Sequence, residues 1–207
     1  MPTKFSEQEQ KIIKQKLINK ANQFFTKYGF KKTSVKELTD AVGISKGSFY
    51  SFFDSKEELL FEVFEEQEKF RNRIFTEIID SDLDGEESLM QLFNKTFRQI
   101  ENNRFFKRIY EENLIERMIR KLPPEKMHKH HAQDLKDAKE LIQFLQKHRN
   151  LVQEPPEIIV GLFRGLFFVT LYEDEIGQDI FEDVMNLLFS SLAKGLIRRE
   201  EKNNDKG

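Results

Sequence analysis

The segment from Thr33 to Lys56 constrains the fold of this chain more than any other, and it reads TSVKELTDAVGISKGSFYSFFDSK. It begins with a capping box, because Ser34 is followed three residues later by Glu37, and such a pair starts a helix. Gly43 supplies the backbone freedom that a helix exit needs, and Ser45 can cap a second short helix. Two short helices joined by a glycine turn predict a helix-turn-helix, which places its second helix in the major groove of DNA.

This segment resembles the N-terminal signature of the TetR family of bacterial transcriptional repressors. The resemblance covers roughly residues 10–60, where spacing and residue type agree throughout. The matching residues are Ala21, Phe24, Gly29, Thr33, Ser34, Val35, Ile44, Ser45, Lys46, Gly47, Tyr50, Phe53, Ser55, Lys56, Glu57 and Leu59. The rest of the chain matches the family only in length and helical character, and Ser51 stands where the family often has histidine or asparagine.

The N-terminal end of the second short helix is the end that reaches base edges in the major groove. Lys46 can donate to guanine O6 and N7, and Ser48 can bond to several bases. The TetR resemblance implies that Thr33, Tyr50 and Lys56 bond phosphates, which position a protein without reading sequence. The alternative is that these side chains only cap and pack the two helices. The predicted DNA-binding residues are Thr33, Ser34, Ser45, Lys46, Gly47, Ser48, Tyr50 and Lys56.

The basic charge of the chain is concentrated at its N-terminus. Residues 1–56 hold eleven lysines, no arginine and five acidic residues, a net charge of +6 against −8 for the remainder. A basic head on an acidic body is typical of a nucleic-acid-binding protein with a separate second domain. Because no arginine precedes Arg71, the forked guanine contact that arginine makes is not available to the head.

Composition excludes several other classes of protein. Cysteine is absent, so the sequence has no disulfide, thiolate nucleophile or cysteine metal site. The N-terminus lacks the apolar core of a signal peptide, and the most apolar stretch, 158–172, is shorter than the ~20 residues that a membrane span needs. We therefore expect a cytoplasmic protein with no membrane partner.

Helical periodicity continues along the chain and predicts an all-α protein of about nine helices. A three-helix DNA-binding domain over residues 1–55 would precede a larger helical domain over residues 56–200 and a disordered tail over residues 201–207. The pattern predicts single helices over 56–80, 104–122, 156–173 and 179–199. The helix that starts at Lys56 would cross the domain boundary and act as a lever between the two domains.

The segment 158–169 is apolar nearly all round, so a helix here must be buried on both sides. One side can face the domain core and the other side a second subunit, with Gly161 and Gly165 forming a flat strip for close helix approach. A two-fold dimer through a four-helix bundle follows, and the TetR resemblance implies the same; the alternative is a purely internal core helix. The predicted interface residues are Gly161, Gly165, Phe168, Leu188, Ser191, Leu192 and Gly195.

Seven aromatic side chains stand on predicted helices that would face each other in the larger domain. They form a candidate pocket for a bulky apolar or aromatic ligand, although such stripes are more often ordinary core than pocket. Both interpretations stay open from the sequence. The predicted pocket residues are Phe93, Phe97, Phe105, Phe106, Tyr110, Phe163 and Phe167.

A short histidine-rich segment invites comparison with a metal site. Glu125 and His128, followed by His130 and His131, resemble half of a carboxylate di-metal site. Such sites need a second Glu-x-x-His and two more inward-facing glutamates, and the sequence holds no second copy. We therefore predict no metal, no cofactor, no catalytic residue and no enzymatic activity.

Together these patterns predict a TetR-type repressor that binds palindromic operator DNA as a homodimer and is released by a small apolar or aromatic ligand. The ligand would move the lever helix, and the spacing of the two recognition helices would then leave the half-site separation. The alternative is a helix-turn-helix factor without a small-molecule effector, which would act architecturally or by recruiting a partner.

Overall fold

The structure, a computed structural model, describes residues 5–170 and 172–198. It is all-α, as predicted, with eleven helices in these two ranges rather than about nine. The helices are α1 (Glu7–Tyr28), α2 (Val35–Val42), α3 (Lys46–Phe49), α4 (Lys56–Ile79), α5 (Gly85–Glu101), α6 (Arg104–Glu111), α7 (Leu114–Lys121), α8 (Pro124–His148), α9 (Pro156–Val169), α10 (Glu173–Ile176) and α11 (Phe181–Leu196). The predicted disordered tail, 201–207, lies outside the described residues.

The two additional helices arise from breaks that the periodicity did not reveal. The helix predicted over 104–122 is divided into α6 and α7, because Asn113 adopts a left-handed conformation with φ 52°. Asparagine tolerates this conformation better than most residues, so the single-helix prediction was wrong at this point. The helix predicted to run to Glu173 ends at Val169, and α10 forms a separate turn after it. The last helix starts at Phe181 and ends at Leu196, inside its predicted range.

Contacts divide the chain into two compact units. The first comprises the described residues through Phe70 together with Asn102–Lys129, and the second comprises Arg71–Glu101 together with the described residues from His130 onward. The boundary falls inside α4 and inside α8, so each of these helices contributes residues to both units. The first unit therefore holds α6 and α7 in addition to the helix-turn-helix, and the predicted division of function after residue 55 stays a prediction.

The core of the first unit is built on the apolar stripe of α1. Leu17, Ala21 and Phe25 on this helix are buried. The helix-turn-helix and the start of α4 contribute further buried side chains, namely Leu38, Phe49, Phe53, Leu59, Leu60 and Val63. Each large apolar side chain removed from water contributes about 1.5–3 kcal/mol, so this layer fixes the helix-turn-helix on α1.

The second unit packs α5 against α11. Its described core includes Leu89, Leu92, Ile159, Val160, Leu166, Met185 and Phe189. At the start of α5, a Cβ on Gly85 would lie only 2.1 Å from the carbonyl oxygen of Arg149, so the backbones approach more closely than a side chain permits. An antiparallel bridge between Leu151 and Ile197 joins two loops of the same unit.

Among the helices of the described residues, none is both long enough and apolar enough to cross a bilayer.

Candidate nucleic-acid interface

The first helix of the helix-turn-helix starts with the predicted capping box. The Ser34 hydroxyl accepts from the Glu37 N–H at 3.2 Å, and the Glu37 carboxylate accepts from the Ser34 N–H at 2.7 Å. The Ser34 hydroxyl also donates to the Glu37 carboxylate, at 2.7 Å, and the two bonds that Ser34 donates, first from its hydroxyl and then from its N–H, lower the pKa of Glu37 below its usual value. The cap fixes where α2 begins, and Ser34 stays exposed beside it.

The turn between the two short helices depends on a left-handed glycine. Gly43 has φ 81° and ψ 33°, and its N–H donates to the carbonyl oxygen of Thr39 at 2.9 Å. The next N–H, of Ile44, donates to the same carbonyl at 3.0 Å, which is the longer bond of a Schellman motif. The chain therefore leaves α2 sharply and enters α3 after Ser45.

The second short helix, α3, presents small polar side chains on an aromatic support. Ser45 caps it by accepting from the Ser48 N–H at 3.0 Å, and the two hydroxyls lie 2.9 Å apart. Phe49 is fully buried, and its ring lies 5.7 Å from that of Phe53. Lys46 is exposed at the start of the helix, free of any hydrogen bond or ion pair to described residues. Gly47 and Tyr50 are exposed as well.

Two of the predicted phosphate-binding side chains are engaged within the protein. Thr33 is buried, and its hydroxyl donates to the carbonyl oxygen of Gly29 at 2.9 Å. The Lys56 ammonium donates to the carbonyl oxygens of Phe30 and Thr33 at 2.8 and 2.7 Å. Burial lowers the pKa of Lys56, while the neighbouring Glu57 carboxylate raises it. A phosphate contact by either residue stays a prediction.

The seven predicted pocket residues fall into both units. Phe93, Phe97, Phe163 and Phe167 belong to the second unit, whereas Phe105, Phe106 and Tyr110 belong to the first. In the second unit, the Phe93 ring lies 5.2 Å from that of Phe163. The Phe189 ring, which the periodicity did not single out, lies 5.5 Å from Phe93 and 5.7 Å from Phe97.

The three aromatic residues in the first unit have different surroundings. Phe106 forms edge-to-face contacts with Phe64 at 6.2 Å and with Phe70 at 5.9 Å, both on α4. The Phe105 ring contacts that of Phe106 edge-to-face as well, at 6.0 Å. Burial raises the pKa of the Tyr110 hydroxyl well above its usual range. These rings attach α6 to the lever helix predicted from the sequence.

The predicted dimer residues lie on exposed parts of α9 and α11. Gly161, Gly165, Phe168, Ser191 and Gly195 are exposed, and Leu188 and Leu192 are half-buried. A Cβ added at any of the three glycines would meet no heavy atom within 4 Å in the described residues. The strip is therefore open, and its role in dimerisation stays a prediction.

The histidine-rich segment lies at the start of α8. Glu125, His128 and His131 are exposed, as a helix start after two prolines suggests. His130 departs from that expectation because it is buried, and its Nε2 lies 3.3 Å from Asp134 one turn later.

Comparison with known sequences matches the segment that carries the helix-turn-helix. The model of the family described as bacterial regulatory proteins, tetR family, matches residues 17–63. KstR2 of Rhodococcus jostii, an HTH-type transcriptional repressor, is 31% identical over 101 residues, covering 47% of this chain and 48% of KstR2. The chain thus matches about half the length of the curated relatives that it resembles.

Comparison with solved structures extends over nearly the whole chain. A TetR-family transcriptional regulator from Pectobacterium atrosepticum has a TM-score of 0.72 at 18% identity, covering 94% of this chain and 99% of that one. FadR of Bacillus subtilis, solved in complex with stearoyl-CoA, has a TM-score of 0.63 at 14% identity, covering 86% and 96%. At these identities the likeness shows a shared fold.

Proposed function

Because the chain belongs to the tetR family of bacterial regulatory proteins, we propose that it is a transcriptional repressor. In this proposal it binds palindromic operator DNA as a homodimer and is released by a small ligand. The exposed polar start of α3 carries the proposal, because Lys46 and Ser48 stand there on a buried aromatic support. The relative KstR2 is named a repressor, which supports the sign of regulation.

In this proposal the start of α3 recognises the DNA sequence. The Lys46 ammonium is a compact donor that can reach guanine O6 and N7, while Ser48 can accept from or donate to several bases. Gly47 allows the helix backbone to approach the groove floor closely. Since the side chains of Thr33 and Lys56 already bond backbone carbonyls, Tyr50 and Ser34 are the more accessible phosphate contacts of the predicted set.

Dimerisation is supported by apolar side chains that are exposed on α9 and α11. Leu187 is 68% exposed, Ile158 is 59% exposed and Phe168 is 55% exposed. Apolar surface of this kind mostly marks an interface, because exposure to water is unfavourable. A second copy of the same face would cover it with two-fold symmetry and bring two recognition helices together. Two half-sites about 34–36 Å apart would then be read at once.

A ligand in the second unit is supported by buried polar atoms on α5. Ser88 is fully buried, and neither its hydroxyl nor Oε1 of Gln91 has a hydrogen-bond partner within the described part of the chain. Leaving such a group unsatisfied costs about 1–3 kcal/mol, which a polar group of a ligand or a water would offset. The same helix carries Phe93 and Phe97, so we propose a largely apolar effector with a polar group.

A second function, DNA binding without a small effector, is favoured by the ring contacts in the second unit. Phe93, Phe97 and Phe189 contact one another directly, as side chains do in a filled core. In that case the second unit would serve dimerisation alone.

Operator release distinguishes the two functions. The protein is bound at fixed salt to a DNA fragment from the promoter of its own gene, because affinity depends on salt. A panel of apolar, aromatic and long-chain acyl-CoA compounds is then added. We expect one compound class to release the DNA, and Phe163→Ala to weaken that release while leaving DNA affinity unchanged. Specific binding that no compound relieves would favour the effector-free function.

A further inference from the structure

Two cationic side chains from other helices contact the loop between α1 and α2. Phe30 in this loop is only 1% exposed. The Lys56 ammonium lies 4.1 Å from the centre of its ring, and the guanidinium carbon of Arg117 lies 5.1 Å from it. Both distances are within the range of a cation–π interaction, which is stronger when the cation is shielded from water. Residues from α4 and α7 thus meet on one aromatic ring just before the helix-turn-helix.

Arg117 also contacts the start of α4, just after the helix-turn-helix. Its Nε donates to the Glu57 carboxylate at 2.8 Å, and a terminal nitrogen lies 2.7 Å from the same oxygen. The Glu57 side chain is mostly buried, so this ion pair is less screened by solvent than a surface pair. One side chain of α7 therefore holds both flanks of the helix-turn-helix, Phe30 before it and Glu57 after it.

Glu112, the residue that follows α6, contacts the same loop. One oxygen of Glu112 lies 3.5 Å from the Lys31 N–H, the outer limit of a hydrogen bond. The other oxygen lies only 2.5 Å from where a Cβ of Gly29 would stand. Since Lys56 binds the carbonyl of Thr33, the residue directly before the α2 cap, these contacts fix the position at which α2 starts.

We propose that Arg117 is a positioning residue for DNA recognition, which holds both flanks of the helix-turn-helix through Phe30 and Glu57 without touching DNA. This inference rests on the proposed DNA-binding function. Base contacts tolerate little displacement of the helix that makes them, since bidentate hydrogen bonds require good geometry. Loosening the flanks should therefore weaken operator binding more than non-specific binding, which depends on charge alone.

The test compares Arg117→Gln with Arg120→Gln on the same helix. Arg120 is a matched control because it is exposed and lies 3.6 Å from Glu116, one turn earlier on α7. Both variants lose one positive charge. Operator DNA is obtained from the wild type by in vitro selection, and affinities for operator and random DNA are measured over a series of salt concentrations. Thermal unfolding followed by circular dichroism confirms that each variant is folded.

We expect Arg117→Gln to lower operator affinity about tenfold and to leave the salt dependence unchanged, whereas Arg120→Gln stays within about twofold. Arg117→Lys keeps the cation over the ring and should recover part of the loss. In a Phe30→Leu background, Arg117→Gln should add less than it does alone, because the shared contact is already gone. If Arg117→Gln has the same effect in the Phe30→Leu background as in the wild type, the two residues act independently. That result would overturn the coupling.

Two further outcomes would overturn the inference. An unchanged operator affinity for Arg117→Gln would show that the contacts do not position the recognition helix. An equal loss on operator and random DNA, with the salt slope reduced by about one charge, would make Arg117 a phosphate contact. If instead the wild type itself selects no DNA sequence, the proposed function fails, and the inference fails with it. Because that result appears in the wild type, it is distinguishable from a failure of the inference alone, which appears only in the Arg117 variants.

Discussion

The protein exposes two surfaces of opposite character. At the start of α3, an exposed Lys46 ammonium stands beside the exposed Gly47 and the half-buried Ser48 hydroxyl. On α9 and α11, Phe168 and Leu187 present large apolar side chains. A polar surface with a lysine suits a polyanion, which keeps water and counterions nearby, whereas an apolar surface suits a partner that excludes water. In the proposed function, DNA and a second copy of the chain would therefore bind at separate places.

The supports behind the two surfaces differ as well. The helix-turn-helix is fixed by caps, by a left-handed glycine and by charged contacts such as Lys56 with the Thr33 carbonyl. The α9 and α11 surface is supported by ring packing such as Phe93 against Phe163 and Phe189. Directional contacts hold a precise orientation, while apolar packing supplies buried area. Substitutions at the polar surface should therefore affect operator binding, and substitutions at the apolar surface should affect dimerisation.

The largest effect is expected at the apolar surface. Gly165→Leu places a branched side chain on the open strip, where nothing lies within 4 Å in the described residues, so the fold itself should be preserved. Helices of two subunits could no longer approach closely, and we expect the dimer dissociation constant to rise about 100-fold. Sedimentation measures this change. Lys136→Leu, at an exposed position on α8, is the control. A dimer equally strong in both variants would place the interface elsewhere.

The next effect is expected at the polar surface. Lys46→Ala removes the proposed base contact and should cost about 1–3 kcal/mol in operator binding, with a smaller loss on random DNA. Competition binding at fixed salt measures both losses. Lys16→Ala removes the same charge from an exposed position on α1 and serves as the control. If the two variants lose operator affinity equally, Lys46 contributes charge and does not read bases.

A third prediction compares two glycines of the first unit that have a positive φ. Gly29 has φ 87°, and a Cβ there would lie 2.5 Å from the Glu112 carboxylate. Gly43 has φ 81°, but an added Cβ would have open space among the described residues. Gly29→Ala should therefore lower the free energy of unfolding by about 2–3 kcal/mol, and Gly43→Ala by about 1–2 kcal/mol. Denaturant unfolding measures both, and a reversed order would show that Glu112 moves away freely.

The smallest effect concerns the acid response of the α2 cap. The pKa of Glu37 is lowered in the folded protein from an ordinary value of 4.5, because Ser34 donates to its carboxylate. A lowered folded pKa stabilises the protein above the ordinary value, and this contribution is lost as pH falls through the lowered one. Glu37→Gln should make the free energy of unfolding less sensitive to acid between pH 5 and the acid limit of folding. Identical pH profiles for variant and wild type would contradict the cap.

Local features were predictable from the sequence, and long-range ones were not. The capping box of α2 and the turn at Gly43 each depend on residues a few positions apart, so spacing alone revealed them. The break at Asn113 depends on a positive-φ backbone conformation that asparagine can adopt but does not require. The residue type alone therefore did not reveal it. The engagement of Lys56 with Phe30, and of Arg117 with Glu57, joins positions 26 and 60 residues apart. No periodicity contains such contacts.

The most direct measurement of the central claim is in vitro selection of double-stranded DNA by the purified protein from a random library. If a dimer reads DNA through α3, we predict enrichment of one palindromic sequence, with half-site centres about 34–36 Å apart. Lys46→Ala should lose this enrichment or change the bases selected within each half-site. Recovery of no common sequence from the wild type, at a salt concentration where DNA still binds, would contradict sequence-specific recognition by this protein.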